Sequence, residues 1–219
     1  MSDGEDTNMR KKSDHERFWE GEFGDAYTSR NVADPLARRP RFAQILSHTT
    51  GVRSICEFGS NRGLNLQTLH AIDPTFELHG IEINGVAFKE LRELAYVSAT
   101  QSSIQDFAPG RTYDLTFTSG VLIHVNPDDL STAYRRLFDL ANRYVLIIEY
   151  FSPRPVAIDY RGHDERLFKR DFGGEFIDCV GEDAVRVVDY GFFWRRLEPA
   201  WDDLTWTLFE KTSTASRPA

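Results

Sequence analysis

The segment "VRSICEFGSNRG", Val52–Gly63, decides the fold. "VRSICEF" reads as a short buried strand, and a glycine-containing turn follows at once. Glu57, Gly59 and Gly63 form E-x-G-x-x-x-G on this strand-to-helix turn. Glycine lets the backbone approach a ligand closely and adopt conformations that a Cβ blocks. In open α/β sheets, ligands bind beyond the carboxyl ends of the strands, where this turn falls. A pyrophosphate-binding turn would read G-x-G-x-x-G, and a carboxylate at the strand end repels pyrophosphate. The same carboxylate suits a cationic ligand. The bland alternative is a plain tight turn.

On either side of this segment the pattern alternates. Leu36, Phe42, Ile45 and Leu46 recur at helical spacing, so a helix ends near His48. Leu64, Leu66, Leu69 and Ile72 continue as a helix that stops at Asp73-Pro74. "FELHGIEI" is a second strand, Val86–Leu94 a helix, "YVSATQSSI" a weaker strand and "YDLTFTSG" a clearer one. Pro127 suits the first turn of a helix through Tyr134, Leu137 and Leu140. "RYVLIIEY" is the most strand-like run. After a charged segment come "AVRVVDYGFF" and "LTWTLFEK", two β-rich runs with no convincing helix between them. The expected fold is α/β: an open, mostly parallel sheet whose last strand is antiparallel. That ending departs from an ordinary dinucleotide fold and is similar to class I S-adenosylmethionine (SAM) methyltransferases.

Such a fold gives roles to the strand ends. Glu57, Gly59, Ser60, Asn61 and Gly63 would surround the SAM amino acid. Glu82 closes the second strand in "GIEIN" and suits both ribose hydroxyls. In "SSIQDF", Ser103 or Asp106 faces the adenine amine while Ile104 covers the ring. Ser119, Gly120 and Leu122 lie beside the methionine portion. The N-terminal "GEFGDAYTSRN" precedes the first strand and would fold over SAM as a lid. Tyr27, Arg30 and Asn31 are its candidate contacts, with Arg30 on the methionine carboxylate; Phe18 and Trp19 would pack the lid. The expected division is a disordered start plus helical lid over residues 1–50 and a SAM-binding core over 51–219. An acceptor-side insertion is expected around 151–183.

"FWEGEFGDAYTSRN", "GVLIHVNPDDL", "EYFSPRPVAIDYRGHDERLFKRDFGGEF" and "DDLTWTLFEK" carry a more specific likeness. Over about Phe18–Lys211 the chain resembles the pseudaminic acid biosynthesis-associated methylases. The resemblance implies SAM as cofactor and a small metabolite as substrate, with nonulosonic-acid sugars as the associated pathway.

The acceptor should lie over the carboxyl ends of the fourth and fifth strands. His124, with a pKa near ~6.5, can remove a proton at neutral pH, or simply bond beside the SAM tail. Glu149 and Tyr150 end the fifth strand. A buried Glu149 would pair with an amine, amidine or guanidine and accept its proton. Tyr160, Arg161, His163, Asp164, Arg170 and Glu175 are candidate substrate contacts, their mixed charges suiting a zwitterionic metabolite. A solvated loop is the alternative. Nitrogen methylation of a small polar metabolite is the first reading. O-methylation of a sugar hydroxyl or carboxylate is second, and nucleic-acid methylation third.

Composition narrows the field. The chain of 219 residues, 41% hydrophobic, suits one domain. Its net charge of -8 argues against general phosphate-backbone binding, and "NPPY" is missing after the fourth strand. Cys56 and Cys179 are too few for a disulfide framework, and the histidines lack paired metal-ligand spacing. With no apolar run near 18 residues, a soluble cytoplasmic protein with no membrane partner is the expectation.

Overall fold

The computed structural model describes residues 10–30, 34–160 and 163–212. Two short helices, α1 (Asp14–Glu20) and α2 (Glu22–Arg30), open it. A 3-10 turn (Pro35–Arg38) leads into α3 (Arg39–Ser47). Then β1 (Ser54–Phe58), α4 (Leu64–Ile72), β2 (Glu77–Glu82), α5 (Gly85–Arg92) and β3 (Val97–Gln101) alternate. The second half holds β4 (Tyr113–Ser119), α6 (Leu130–Leu140) and β5 (Ala141–Glu149), then β6 (Val156–Tyr160), β7 (His163–Lys169) and α7 (Phe172–Val180). β8 (Val185–Phe193) and β9 (Leu204–Lys211) close the fold.

Seven strands form one sheet in the order β3-β2-β1-β4-β5-β9-β8. The first five run parallel, and β9 lies antiparallel between β5 and β8. This is the expected architecture. Both faces are covered, which explains why β1 is buried at all five positions rather than alternately. On one face Val145, Ile147 and Phe209 meet α6 and α7; on the other Tyr144, Leu146 and Ile148 join the cluster packed by α3 and α4. Registers Glu57↔Gly80 and Ser119↔Ile148 bring the strand ends to one edge. Glu57, Glu82, Ser119 and Glu149 therefore share a rim.

The charged segment before β8 differs from expectation. It is not a loop: β6 and β7 form a separate antiparallel hairpin, and α7 follows. Gly173 and Gly174 disfavour helix by about 1 kcal/mol each. They are offset by Asp171, whose side chain accepts from the Gly174 N–H, and by burial of Phe172 and Phe176. The N-terminal end also differs. Arg10, expected in a disordered start, bonds Asp106 at 3.0 Å and pairs with Glu16. Among the described residues no helix is long and apolar enough to cross a membrane.

Gly80 tests how tightly β2 is seated. A Cβ there would lie 2.8 Å from Ser60 Oγ and 2.9 Å from Leu66 Cδ1. Gly80→Ala is expected to destabilise by about 1–3 kcal/mol, the usual cost of overpacking. Differential scanning calorimetry should show this as a Tm lower by roughly 2–10 °C; an unchanged Tm contradicts the packing account.

Candidate active site

A cavity of about 290 Å³ opens at the rim, bounded by α1, α2, the turn after β1, the ends of β2 and β4, and Leu167 of β7. Glu57 lies on its wall, 1% exposed. Its Oε1 accepts from Asn65 Nδ2 at 2.6 Å, while the buried Oε2 has no hydrogen-bond partner. Burial pushes the Glu57 pKa up to about 8, against the opposing pull of Asn65 and Arg38. The same Asn65 accepts from Arg38 Nη1 at 2.6 Å. Arg38 Nε donates to the Ala200 carbonyl at 3.1 Å, and its guanidinium stands 4.7 Å over the Trp201 ring. Burial lowers the Arg38 pKa. An acid with one oxygen unused thus faces a cation across a shared amide.

The turn between β1 and α4 packs closely against the loop after β4. Gly59 has φ +72°, and a Cβ there would meet Val121 Cγ2 at 2.6 Å. Asn61 also has a positive φ, 49°, which asparagine tolerates better than most residues. Glu82 fixes this conformation: its carboxylate accepts from the Asn61 N–H at 2.7 Å and the Asn84 N–H at 2.8 Å. Burial raises its pKa. Asn84 then joins three elements. Its Oδ1 caps α5 through the Val86 and Ala87 N–H groups, and its Nδ2 donates to Asp25 at 2.8 Å and to the Trp19 carbonyl at 3.2 Å. This amide ties the helical pair α1–α2 to α5. Trp19 from α1 reaches the ring of His124, 4.4 Å between centroids.

Several expected residues do line the cavity: Tyr27, Glu57, Gly59, Ser60, Asn61, Glu82, Ser103, Ile104, Ser119, Gly120, His124 and Tyr150. Ser103 Oγ donates to Asp106 at 2.7 Å, leaving Asp106 itself outside the lining. Others lie elsewhere. Gly63 is the αL residue that starts α4, where a Cβ would strike Leu91 and Leu94. Arg30 is exposed and does not reach the cavity; Arg38, which the sequence reading missed, supplies the cation. Leu122 is fully buried in the core under α6. Arg170 donates to Glu175 at 2.7 Å, and Glu175 accepts from Tyr134 at 3.1 Å, so these three satisfy one another away from the cavity. Asn31 and Arg161 lie outside the described residues, as do the side chains of Tyr160, His163 and Asp164.

Glu149 is the largest correction. Its side chain turns under the loop after β4 rather than into the cavity. Oε1 accepts from the N–H groups of Val121 at 2.9 Å and Leu122 at 3.0 Å, and from Thr118 Oγ1 at 3.2 Å. Burial raises its pKa to about 7. It holds the loop that carries His124 and is not among the residues lining the cavity, although its own Oε2 is also buried without a hydrogen-bond partner. Among the described residues, no group of three His, Cys, Asp or Glu could hold a metal ion.

No family model and no curated protein matches the chain. The resemblance to pseudaminic acid biosynthesis-associated methylases therefore gains no support from that side. Solved structures do match. A Burkholderia thailandensis 1,6-didemethyltoxoflavin-N1-methyltransferase, bound to 1,6-didemethyltoxoflavin and S-adenosylhomocysteine (SAH), superposes with a TM-score of 0.70 at 16% identity, covering 94% of each chain. Magnesium protoporphyrin IX methyltransferase from Synechocystis PCC 6803 with bound SAM gives 0.64 at 14% identity, over 93% of this chain and all of that one (100%). A glycopeptide N-methyltransferase with SAH gives 0.63 at 12%, over 87% and 97%. The fold is that of class I SAM-dependent methyltransferases.

The buried acids make a pH prediction. A carboxyl whose pKa rises on folding stabilises the fold below its unfolded pKa, and loses that contribution as pH climbs through the folded value. For Glu57 and Glu149 the window runs from about 4.5 to about 8. The ligand-free protein should lose stability across it, and Glu57→Gln should lose less. The check is the difference in Tm between the two proteins at pH 5 and pH 8. A constant difference contradicts the assignment.

Proposed function

We propose that this chain is a SAM-dependent methyltransferase that methylates a nitrogen of a small molecule. The observation that carries the reading is the orphaned Oε2 of Glu57, which lines the cavity across the Asn65 amide from Arg38. This arrangement fits an α-amino acid bearing opposite charges a few ångströms apart. Arg38 takes the carboxylate and Glu57 the ammonium, replacing the hydrogen bond its oxygen lacks. Glu82 keeps a lone pair on each oxygen for a ribose diol, and Ile104 covers an adenine face. Bound there, SAM supplies a methyl group on a sulfonium, ready for in-line displacement.

The chain's own residues do the rest. The helical pair α1–α2 acts as a lid that keeps water out, held by Asn84. His124 takes the proton from the acceptor nitrogen as its lone pair is used. Trp19 orients that imidazole. Glu149 is a positioning residue that fixes the His124 loop from below. Among the solved structures of similar fold, the toxoflavin and glycopeptide enzymes are named as N-methyltransferases and a mitomycin enzyme as a 7-O-methyltransferase, so the nitrogen reading rests on His124 as proton acceptor. A sugar-acid acceptor rests on the family resemblance alone.

Titration calorimetry with SAH tests the cofactor half. The wild-type protein should bind it, and Gly59→Val should lose at least about tenfold in affinity, ~1.4 kcal/mol. A folded wild-type protein that binds no SAH contradicts the proposal.

A further inference from the structure

We infer that the methyl acceptor is a flat, uncharged heteroaromatic ring carrying an N–H, not an anionic sugar acid or a zwitterion. The inference rests on the cofactor reading above and concerns the other end of the same cavity. That end is walled by rings and aliphatic groups: His15, Trp19, Ile123, His124, Tyr150 and Leu167. His15 packs against Phe168 at 5.7 Å, and Trp19 against His124 at 4.4 Å, so the hairpin and α1 meet as one apolar wall. Both contacts are tilted, at 38° and 49°, and the aromatic faces they set around the cavity favour a planar guest.

Charge decides against an anion. Among the described lining residues Arg38 is the one permanent cation against the acids Glu16, Glu57, Glu82, Asp129 and Asp202, of which Glu16 is already paired with Arg10. Arg38 stands with Asn65 and Trp201, beside the amino-acid site. The described cations of the charged segment are engaged elsewhere. Lys169 sits 4.7 Å over the Tyr150 ring without lining the cavity, and Arg170 is bonded to Glu175. Among the described residues an acceptor carboxylate would meet no counter-charge at this end and would share the cavity with Asp129, an arrangement that opposes binding. A neutral lactam-type ring meets apolar faces, presents its N–H to Asp129 or His124, and can release that proton to the imidazole as the new N–C bond forms. The methyl–sulfur bond breaks in the same step, and its electron pair stays on sulfur, leaving neutral SAH.

The test separates this inference from the reading beneath it. The protein is first titrated with SAH. The SAH-saturated protein is then titrated with quinazolin-4-one, lumazine, N-acetylneuraminic acid and arginine, following heat and Trp19-dependent fluorescence. The expected result is binding of at least one neutral bicyclic ring at least about tenfold tighter than neuraminate or arginine. Trp19→Leu should erase most of that preference while SAH affinity holds. A preference for neuraminate or arginine, or no binding of either ring by an SAH-loaded protein, overturns the inference and leaves the cofactor reading standing. Failure to bind SAH removes both.

Discussion

Everything at the rim depends on a carboxylate that folding leaves half satisfied. Glu57 is nearly fully buried, yet only one of its oxygens is bonded. Burying an unmatched polar atom costs about 1–3 kcal/mol; Glu149 carries such an oxygen too, and what sets Glu57 apart is that it lines the cavity, where a ligand can complete it. Its position follows from β1, whose complete burial drives the strand through the core and delivers Glu57 to the carboxyl edge. Asn65, one turn into α4, bridges the acid to Arg38, and Arg38 ties the N-terminal segment to the loop at Ala200. One acid thus organises groups far apart in sequence.

The other two strand-end acids work differently. Glu82 and Glu149 each accept backbone N–H groups from a neighbouring loop, Glu82 at Asn61 and Asn84, Glu149 at Val121 and Leu122. Each loop also has backbone bonds of its own, Gly59 and Ser60 to the Ile81 carbonyl and Gly120 to the Ile148 carbonyl, and the buried acceptor adds to them. Glu82 keeps a face toward the cavity and Glu149 does not. Identical chemistry at equivalent places in the sheet therefore leads to two positions, one lining the cavity and one supporting the loop beside it. Asn84 extends the first network to α1 and α2, so the shape of the turn after β1 and the docking of the helical pair are coupled through neighbouring residues.

Much of this was legible in the sequence. Alternating apolar runs gave the strand order's parallel core and the antiparallel last strand, because buried strands and the helices between them have distinct periods. Glu57 and Glu82 were readable as strand-end acids. The misses share a physical cause: side-chain direction at a strand end depends on a partner that the local pattern does not contain. Glu149 was expected to face an acceptor because nothing in "LIIEY" announces the N–H groups of Val121 and Leu122. Arg38 was missed because a four-residue 3-10 turn has no periodic signature. The hairpin β6–β7 was hidden by its density of charged residues, and α7 by two glycines whose effect is offset by a cap and two buried phenylalanines. Arg170 and Glu175 looked like ligand contacts until their mutual bond was seen.

The central claim is that Glu57 and Arg38 receive the two charges of an amino acid. Comparing the affinities of SAH and 5′-methylthioadenosine, which keeps the nucleoside and lacks the amino-acid end, tests it most directly. Two charge-assisted contacts of about 1.5–3 kcal/mol each predict that the truncated ligand binds at least ~100-fold more weakly. The gap should narrow sharply in Arg38→Met. Equal affinity of the two ligands for the wild-type protein would contradict the account.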